Sequence, residues 1–210
     1  MSNDLDKTKT AESRARLYLF FSAVFLREVS SDFLRSLKDK DILEALKDLG
    51  LELSDDFFNH EEKEIIEMLS EEYARLLILP GSISPYESVW LNGLLSQEAA
   101  AVVMAFYKKS GFTLPEDFKG FPDHIGLELA FIGRLAMEES RKWNDGNEDA
   151  ALKYAELQRD FFAQHLSKWV FKCCKGVMDY SRQQFYREMA RLTYAFLESE
   201  MEEMGLSREV

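Results

Sequence analysis

Acid–base and metal chemistry starts from histidines and carboxylates held at short spacing. This chain has three histidines, His60, His124 and His165. A helical di-metal centre needs a glutamate three residues before a histidine, so that both ligands leave one helix face. The residues at that spacing are Phe57, Phe121 and Phe162, so this chemistry lacks its ligands. His124 and Glu128 lie four apart on one helix face, with Asp123 adjoining. They offer at most three metal ligands on one turn, and helix capping plus an i,i+4 contact accounts for the same spacing. His165 lies between Phe162 and Trp169 in an apolar stripe and reads as a hydrogen-bonded core histidine. The chain has no Gly-rich phosphate loop and no Gly-x-Ser-x-Gly elbow. Nucleotide hydrolysis, the serine-hydrolase elbow and the helical di-metal centre thus lack their usual residues.

Two segments suggest binding instead. Ser84-Pro85-Tyr86-Glu87-Ser88-Val89-Trp90 puts two large aromatics and an acid beside prolines. Aromatics on a loop either plug a core or anchor a ligand, and both readings stay open. Phe121-Pro122-Asp123-His124-Ile125-Gly126-Leu127-Glu128-Leu129 gathers polar groups at the entrance to an apolar helix. Apolar anchors from one segment and charge from the other would suit an apolar peptide with basic residues at one end.

Helices must position these segments. Nearly every stretch has helical period, and 10 Gly and 4 Pro in 210 residues are few for strands and tight turns. The spacing predicts a frayed terminus over 1–10 and a first helix over Ala11–Arg27. It predicts two short helices or one bent one over Ser31–Leu49, and a helix from near His60 to Pro80-Gly81. A loop is expected from Pro80 to Asn92, then a helix over Leu95–Lys109. The two prolines of the Gly111–Pro122 loop mark a hinge between an N-terminal lobe, 11–110, and a C-terminal lobe, 123–205. Asp123 is expected to cap the next helix, with stripe Ile125, Leu129, Ile132 and Ala136. Two further helices are expected, one carrying Ala151 to Cys173 and one carrying Tyr186 to Met201. The fold class is all-α, a single globular bundle of about eight to ten helices.

Composition narrows the partners. The 38 Asp+Glu against 26 Lys+Arg give a formal charge of −12. A duplex-binding protein needs a basic footprint, so nucleic acid is excluded as a partner and basic peptides are favoured. Cys173 and Cys174 are the only cysteines and are adjacent, a poor geometry for a bridge, which favours a reducing compartment. The most apolar run, Leu17–Leu26, has ten residues against the ~20 that span a bilayer. Asp4, Asp6 and Glu12 also oppose a signal peptide. A cytoplasmic chain with no stable membrane insertion is expected.

At these segments the sequence resembles the TorD/DmsD-type chaperones of the twin-arginine pathway, related to the NarJ group. One shared stretch is Glu72-Tyr73-Ala74-Arg75-Leu76-Leu77-Ile78-Leu79-Pro80-Gly81 followed by Pro85-Tyr86-Glu87-Ser88-Val89. A second is Pro122-Asp123-His124-Ile125 with Glu128-Leu129 and Phe131. A weaker third is Phe162, His165-Leu166 and Trp169. The order agrees over roughly residues 11–200. Leu77, Leu79 and Phe121 depart from the pattern, which has Phe, Gly and an acid at those places.

The resemblance implies an all-helical, TorD-like chaperone of the cytoplasm that is not an enzyme, with no catalytic residue, metal or cofactor expected. It would bind the twin-arginine leader of a molybdenum-containing oxidoreductase precursor, aid cofactor insertion and delay export. A monomer or a domain-swapped dimer is implied, the swap using the Gly111–Pro122 connection. On this reading Asp123, Glu128 and Glu87 receive the arginines. Tyr73, Leu76, Tyr86, Val89 and Trp90 line a groove for the apolar stretch, Ser88 belongs to the same motif, and His124 orients a carboxylate or donates to a peptide carbonyl. The alternative is a helical small-molecule or cofactor-binding sensor.

Overall fold

The structure is a computed structural model that describes residues 2–207, apart from Asp55, Asp56 and Phe58. It is all-α, and among the described residues there is no strand, only one isolated bridge. Helix α1 spans Ser2–Leu26, α2 Ser31–Leu37, α3 Lys40–Asp48 and α4 Glu62–Tyr73, which runs into a π turn over Ala74–Ile78. Helix α5 spans Glu87–Asn92, α6 Gln97–Lys109, α7 Ile125–Asn144 and α8 Glu148–Gln164. A 3-10 turn over Leu166–Lys168 precedes α9, Val170–Tyr180, and α10, Gln184–Glu203.

Several expectations need correction. Helix α1 begins at Ser2, nine residues before the start expected at Ala11. Thr8 O accepts a bond from Ser140 Oγ at 3.0 Å, and Lys7 Nζ sits 4.0 Å above the Trp143 ring. These contacts hold a turn that composition alone cannot. The Pro80–Asn92 loop also contains a helix, α5. The helix expected across His165 is broken there, giving α8 and α9.

The chain divides into two compact units. Among the described residues, the first takes 2–22 and 86–169, and the second takes those of 23–85 and 170–207. Residues 111–122, expected as a hinge between lobes, lie within the first unit. The Tyr107 hydroxyl donates to Pro122 O at 2.9 Å, and Phe112 packs on Tyr107 and Phe131. Those contacts fasten both ends of the segment.

The first unit centres on α7. Its face buries Ile125, Leu129, Ile132 and Ala136, the stripe read from the sequence. Phe131 meets Tyr107 at 4.8 Å and Phe161 at 4.7 Å between ring centroids. Gly133 allows α1 to approach, since a Cβ there would stand 3.0 Å from Tyr18 Cβ and Leu19 Cγ. A buried network ties α1, α7 and α8 together. Arg14 donates to Glu139 and Gln158, while Gln158 Nε2 and Trp143 Nε1 donate to Glu139.

The second unit buries Phe33, Phe57 and Phe185 against one another. The Tyr73 hydroxyl donates to Phe25 O at 2.8 Å, and the Tyr186 hydroxyl to Leu69 O at 3.2 Å. Glu72 is the polar knot of this unit. It accepts two 2.7 Å bonds from Arg75, one from Ser181 Oγ, and bonds from the Arg182 and Gln183 backbone. The turn between α9 and α10 is thereby fixed on α4. Cys173 and Cys174 are free thiols, both buried, and burial pushes Cys174 up to about 12.

Candidate functional site

The two sequence segments singled out for binding meet in the first unit from Tyr86 onward. Tyr86 and His124 form an antiparallel bridge. The Glu87 N–H donates to Asp123 O at 2.9 Å, and the Ser88 N–H donates to Asp123 Oδ2 at 3.0 Å. Asp123 therefore satisfies the open N-terminus of α5 from across the chain, which answers a six-residue helix with no cap of its own. It does not cap α7, as expected from sequence. His124 does so, its Nδ1 accepting from Gly126 N at 3.1 Å. A ring nitrogen that accepts must be unprotonated, so the other nitrogen carries the proton. Burial agrees, pulling His124 down to about 4.

Behind this seam lies a buried polar cluster. Glu87 is buried, and both its oxygens stand 3.1 Å from His165 Nδ1. Glu128 is fully buried, and its Oε2 accepts from Trp169 Nε1 at 3.2 Å. Burial, then the neighbouring Glu87 charge, push the Glu128 carboxyl well above the usual carboxylate range, with Asp123 adding to this. The charged form of Glu128 is thus disfavoured by its surroundings. Burial and the three carboxylates likewise push Tyr107 up. Four polar atoms of the cluster find no hydrogen-bond partner: Ser88 Oγ, Asp123 Oδ1, Glu128 Oε1 and His165 Nε2. Buried polar atoms normally find partners, so these four set the cluster apart from the apolar core around it.

The expected site residues thus separate. Asp123, Glu128 and Glu87 are buried, so none offers an open carboxylate to solvent. Tyr73 and Leu76 are buried residues of the second unit, and neither is open to a peptide as a groove wall. Ser88 is buried, and its N–H is committed to Asp123. Tyr86, Val89 and Trp90 are half-buried and reach the surface. Leu91, Leu94 and Leu95 continue that surface, and Leu94 is 65% exposed. No periodicity singles these leucines out in the sequence; the left-handed Gly93 (φ +79°) ends α5 between Leu91 and Leu94, and all three are exposed. His165 is the hydrogen-bonded core histidine expected, but its partner Glu87, 78 residues away, has no local signal.

Among the described residues, no group of three or more His, Cys, Asp or Glu could hold a metal ion. The Asp123, His124 and Glu128 spacing is used for backbone capping and an indole bond instead. No helix of the described chain is long and apolar enough to cross a membrane.

Comparison with known proteins gives this seam a family setting. The chaperone protein TorD of Shewanella loihica is 25% identical, with 96% of this chain and 97% of that one covered. TorD of Vibrio cholerae serotype O1 is 24% identical, with 90% of each chain covered. A crystal structure assigned as a redox enzyme maturation protein of Archaeoglobus fulgidus superposes with a TM-score of 0.55 at 25% identity, covering 88% of this chain and 93% of that one. The family model described as nitrate reductase delta subunit matches residues 36–175, and the chain belongs to that family, which takes in the NarJ and TorD chaperones.

Proposed function

We propose that the protein is a system-specific chaperone of the cytoplasm for a molybdenum-containing oxidoreductase. It binds the twin-arginine leader of the precursor's catalytic subunit, and holds the precursor during cofactor insertion and folding until export. It carries out no catalysis itself. The observation that carries this reading is the Tyr86–His124 seam, which joins the two segments that resemble the TorD/DmsD chaperones. Beside it, Tyr86, Val89 and Trp90 are half-open and Leu91, Leu94 and Leu95 exposed, an apolar surface suited to the greasy stretch of a leader. The −12 charge suits its basic end.

The chaperone role requires releasable binding. Burying two or three leader side chains supplies a few kcal/mol at about 25 cal/mol per Å², less the cost of ordering the peptide. Charge-assisted contacts to the arginines, about 1.5–3 kcal/mol each when partly shielded, must add to this to reach micromolar affinity, about 8 kcal/mol. The test is capture from the host's cytosol with mass spectrometry. Recovery of one molybdoenzyme precursor with its leader attached supports the reading. Recovery of none, while the host is making its molybdoenzymes, refutes it. Tyr86→Ala should weaken binding while helix content stays constant.

One observation favours the small-molecule alternative. A cavity of about 440 Å³ in the first unit is lined by Ser110, Thr113, Phe131, Arg134 and Tyr154, among others. Thermal stabilisation by a metabolite, lost on filling that cavity, would support a sensor.

A further inference from the structure

Because the motif carboxylates are buried, the arginines of a leader need another receptor. The loop between α6 and α7 provides one. Pro115 O accepts from the Phe118 N–H at 3.0 Å, closing a turn with Glu116 and Asp117 exposed at its tip. The chain then returns so that Phe118 stands 5.5 Å from the His124 ring at 73°. Phe121 stands 6.1 Å from Tyr86 at 89°, and Tyr86 stands 5.2 Å from His124 at 80°. Gly120 makes this fold possible, since a Cβ there would come within 2.7 Å of both the Tyr86 hydroxyl and the Phe118 ring. Phe118, Phe121 and Tyr86 are each half-buried residues, so all three reach the surface.

We infer that Tyr86, Phe118 and Phe121 form an aromatic receptor for an arginine side chain of the client peptide, with Glu116 and Asp117 as its acidic rim. This rests on the leader-binding reading above and assigns its basic end. A guanidinium stacks on aromatic faces within about 6 Å of a ring centroid, and its planar form suits walls set near right angles. Exposed acids on the same turn raise the local concentration of cations without the desolvation cost of a buried pair. A further acid stands close by. Asp123 is fully buried, its Oδ1 has no hydrogen-bond partner, and its charge, after burial, helps to push the Tyr86 phenol up. Lys119, the basic residue of the turn, folds back onto Glu116 O at 3.2 Å. The placement also gives Phe121 a purpose in a position where an acid fits the motif better: the ring replaces the charge, and the charge moves to the turn.

The probe is a fluorescein-labelled 20-residue peptide with two consecutive arginines followed by an alanine–leucine run. Matched probes carry two lysines or two glutamines instead. Fluorescence anisotropy with the full chain should show the arginine probe binding more tightly than the lysine probe. Phe118→Leu and Phe121→Leu should each weaken the arginine probe about three- to tenfold and leave the glutamine probe unchanged. Glu116→Lys, an exposed change that does not threaten folding, should weaken it about two- to fivefold at low salt. Equal affinity of wild type and both leucine variants for the arginine probe would overturn the assignment. So would an equal loss for the glutamine probe, which marks a structural role. Failure of the wild type to bind any of the probes would instead overturn the leader-binding reading, and this inference with it.

Discussion

Glu72→Gln tests the strongest electrostatic anchor in the second unit. Burial alone would raise the Glu72 pKa, but hydrogen bonds from Arg75, the Arg182 backbone and Ser181 overcome it and lower it from 4.5 to about 2. At about 1.4 kcal/mol per pH unit, that drop is worth about 3 kcal/mol. The Arg75 side chain is 29% exposed, so solvent screening reduces the figure to about 2 kcal/mol. Glutamine keeps the shape but turns an NH2 toward groups that are all donors. Urea denaturation at pH 7 should therefore show a loss of about 2–3 kcal/mol at unchanged slope. The sign with pH follows from linkage. A depressed carboxylate stabilises above its unfolded value of about 4.5, and that stability drains away as pH falls toward about 2. The gap between wild type and Glu72→Gln should thus narrow steadily from pH 4.5 downward. A loss under about 0.5 kcal/mol at pH 7, or a gap as wide at pH 3 as at pH 7, would refute the reasoning.

Glu128 should behave in the opposite sense. Its folded pKa is raised, so its contribution is full below about 4.5 and falls as pH rises above that value; Glu128→Gln should be neutral or stabilising at pH 7, and a loss above about 1 kcal/mol in the same assay would contradict the raised pKa. His124 is pulled down to about 4, so it favours the fold above about pH 6.5 and ceases to do so as pH falls toward 4; imidazole NMR chemical shifts should show it uncharged at pH 6. Gly133→Val should cost about 1–3 kcal/mol through overpacking of α1 on α7, read by thermal melting, whereas an unchanged melt would mean that the two helices separate easily. Asp123→Ala should cost about 1–2 kcal/mol, because it leaves the Ser88 N–H without its partner.

Helix positions were legible wherever an apolar stripe ran at helical period, and α7 is the best case. Its stripe of Ile125, Leu129, Ile132 and Ala136 is buried as written. Termini were harder. Asp123 and His124 are both adequate caps by type, and only tertiary structure chooses between them: Asp123 is drawn off to the backbone of α5, and His124 takes its place. Helix α5 itself is too short to show a period and owes its first turn to that distant carboxylate. The partition into units was illegible for the same reason. Prolines mark where a helix stops, but the Gly111–Pro122 connection stays within one unit because Tyr107 and Phe112 tie it down. Nor does sequence spacing reveal which acids are buried. Glu128 looks like a surface charge four residues from a histidine, yet its real partner is Trp169, 41 positions away.

That burial changes how the family-like segments work in this chain. A residue can be indispensable to binding because it touches the peptide or because it holds the surface that does. Asp123 joins the strand-like Tyr86 segment to the start of α7, His124 caps α7, and Glu87 and His165 pair behind them. Each of these is spent on backbone or on another buried side chain. Alanine at any of them would move Tyr86 and the 115–122 turn, and would weaken a peptide that never touches the replaced residue. The contact surface must then be made by residues that reach solvent: half-buried Tyr86, Phe118 and Phe121, exposed Glu116 and Asp117, and exposed Leu91, Leu94 and Leu95. The two classes differ in a measurable way. Loss at a holding residue should accompany a lower melting temperature and affect every peptide alike, whereas loss at a contact residue should leave the melt unchanged and track the peptide's own arginines or leucines.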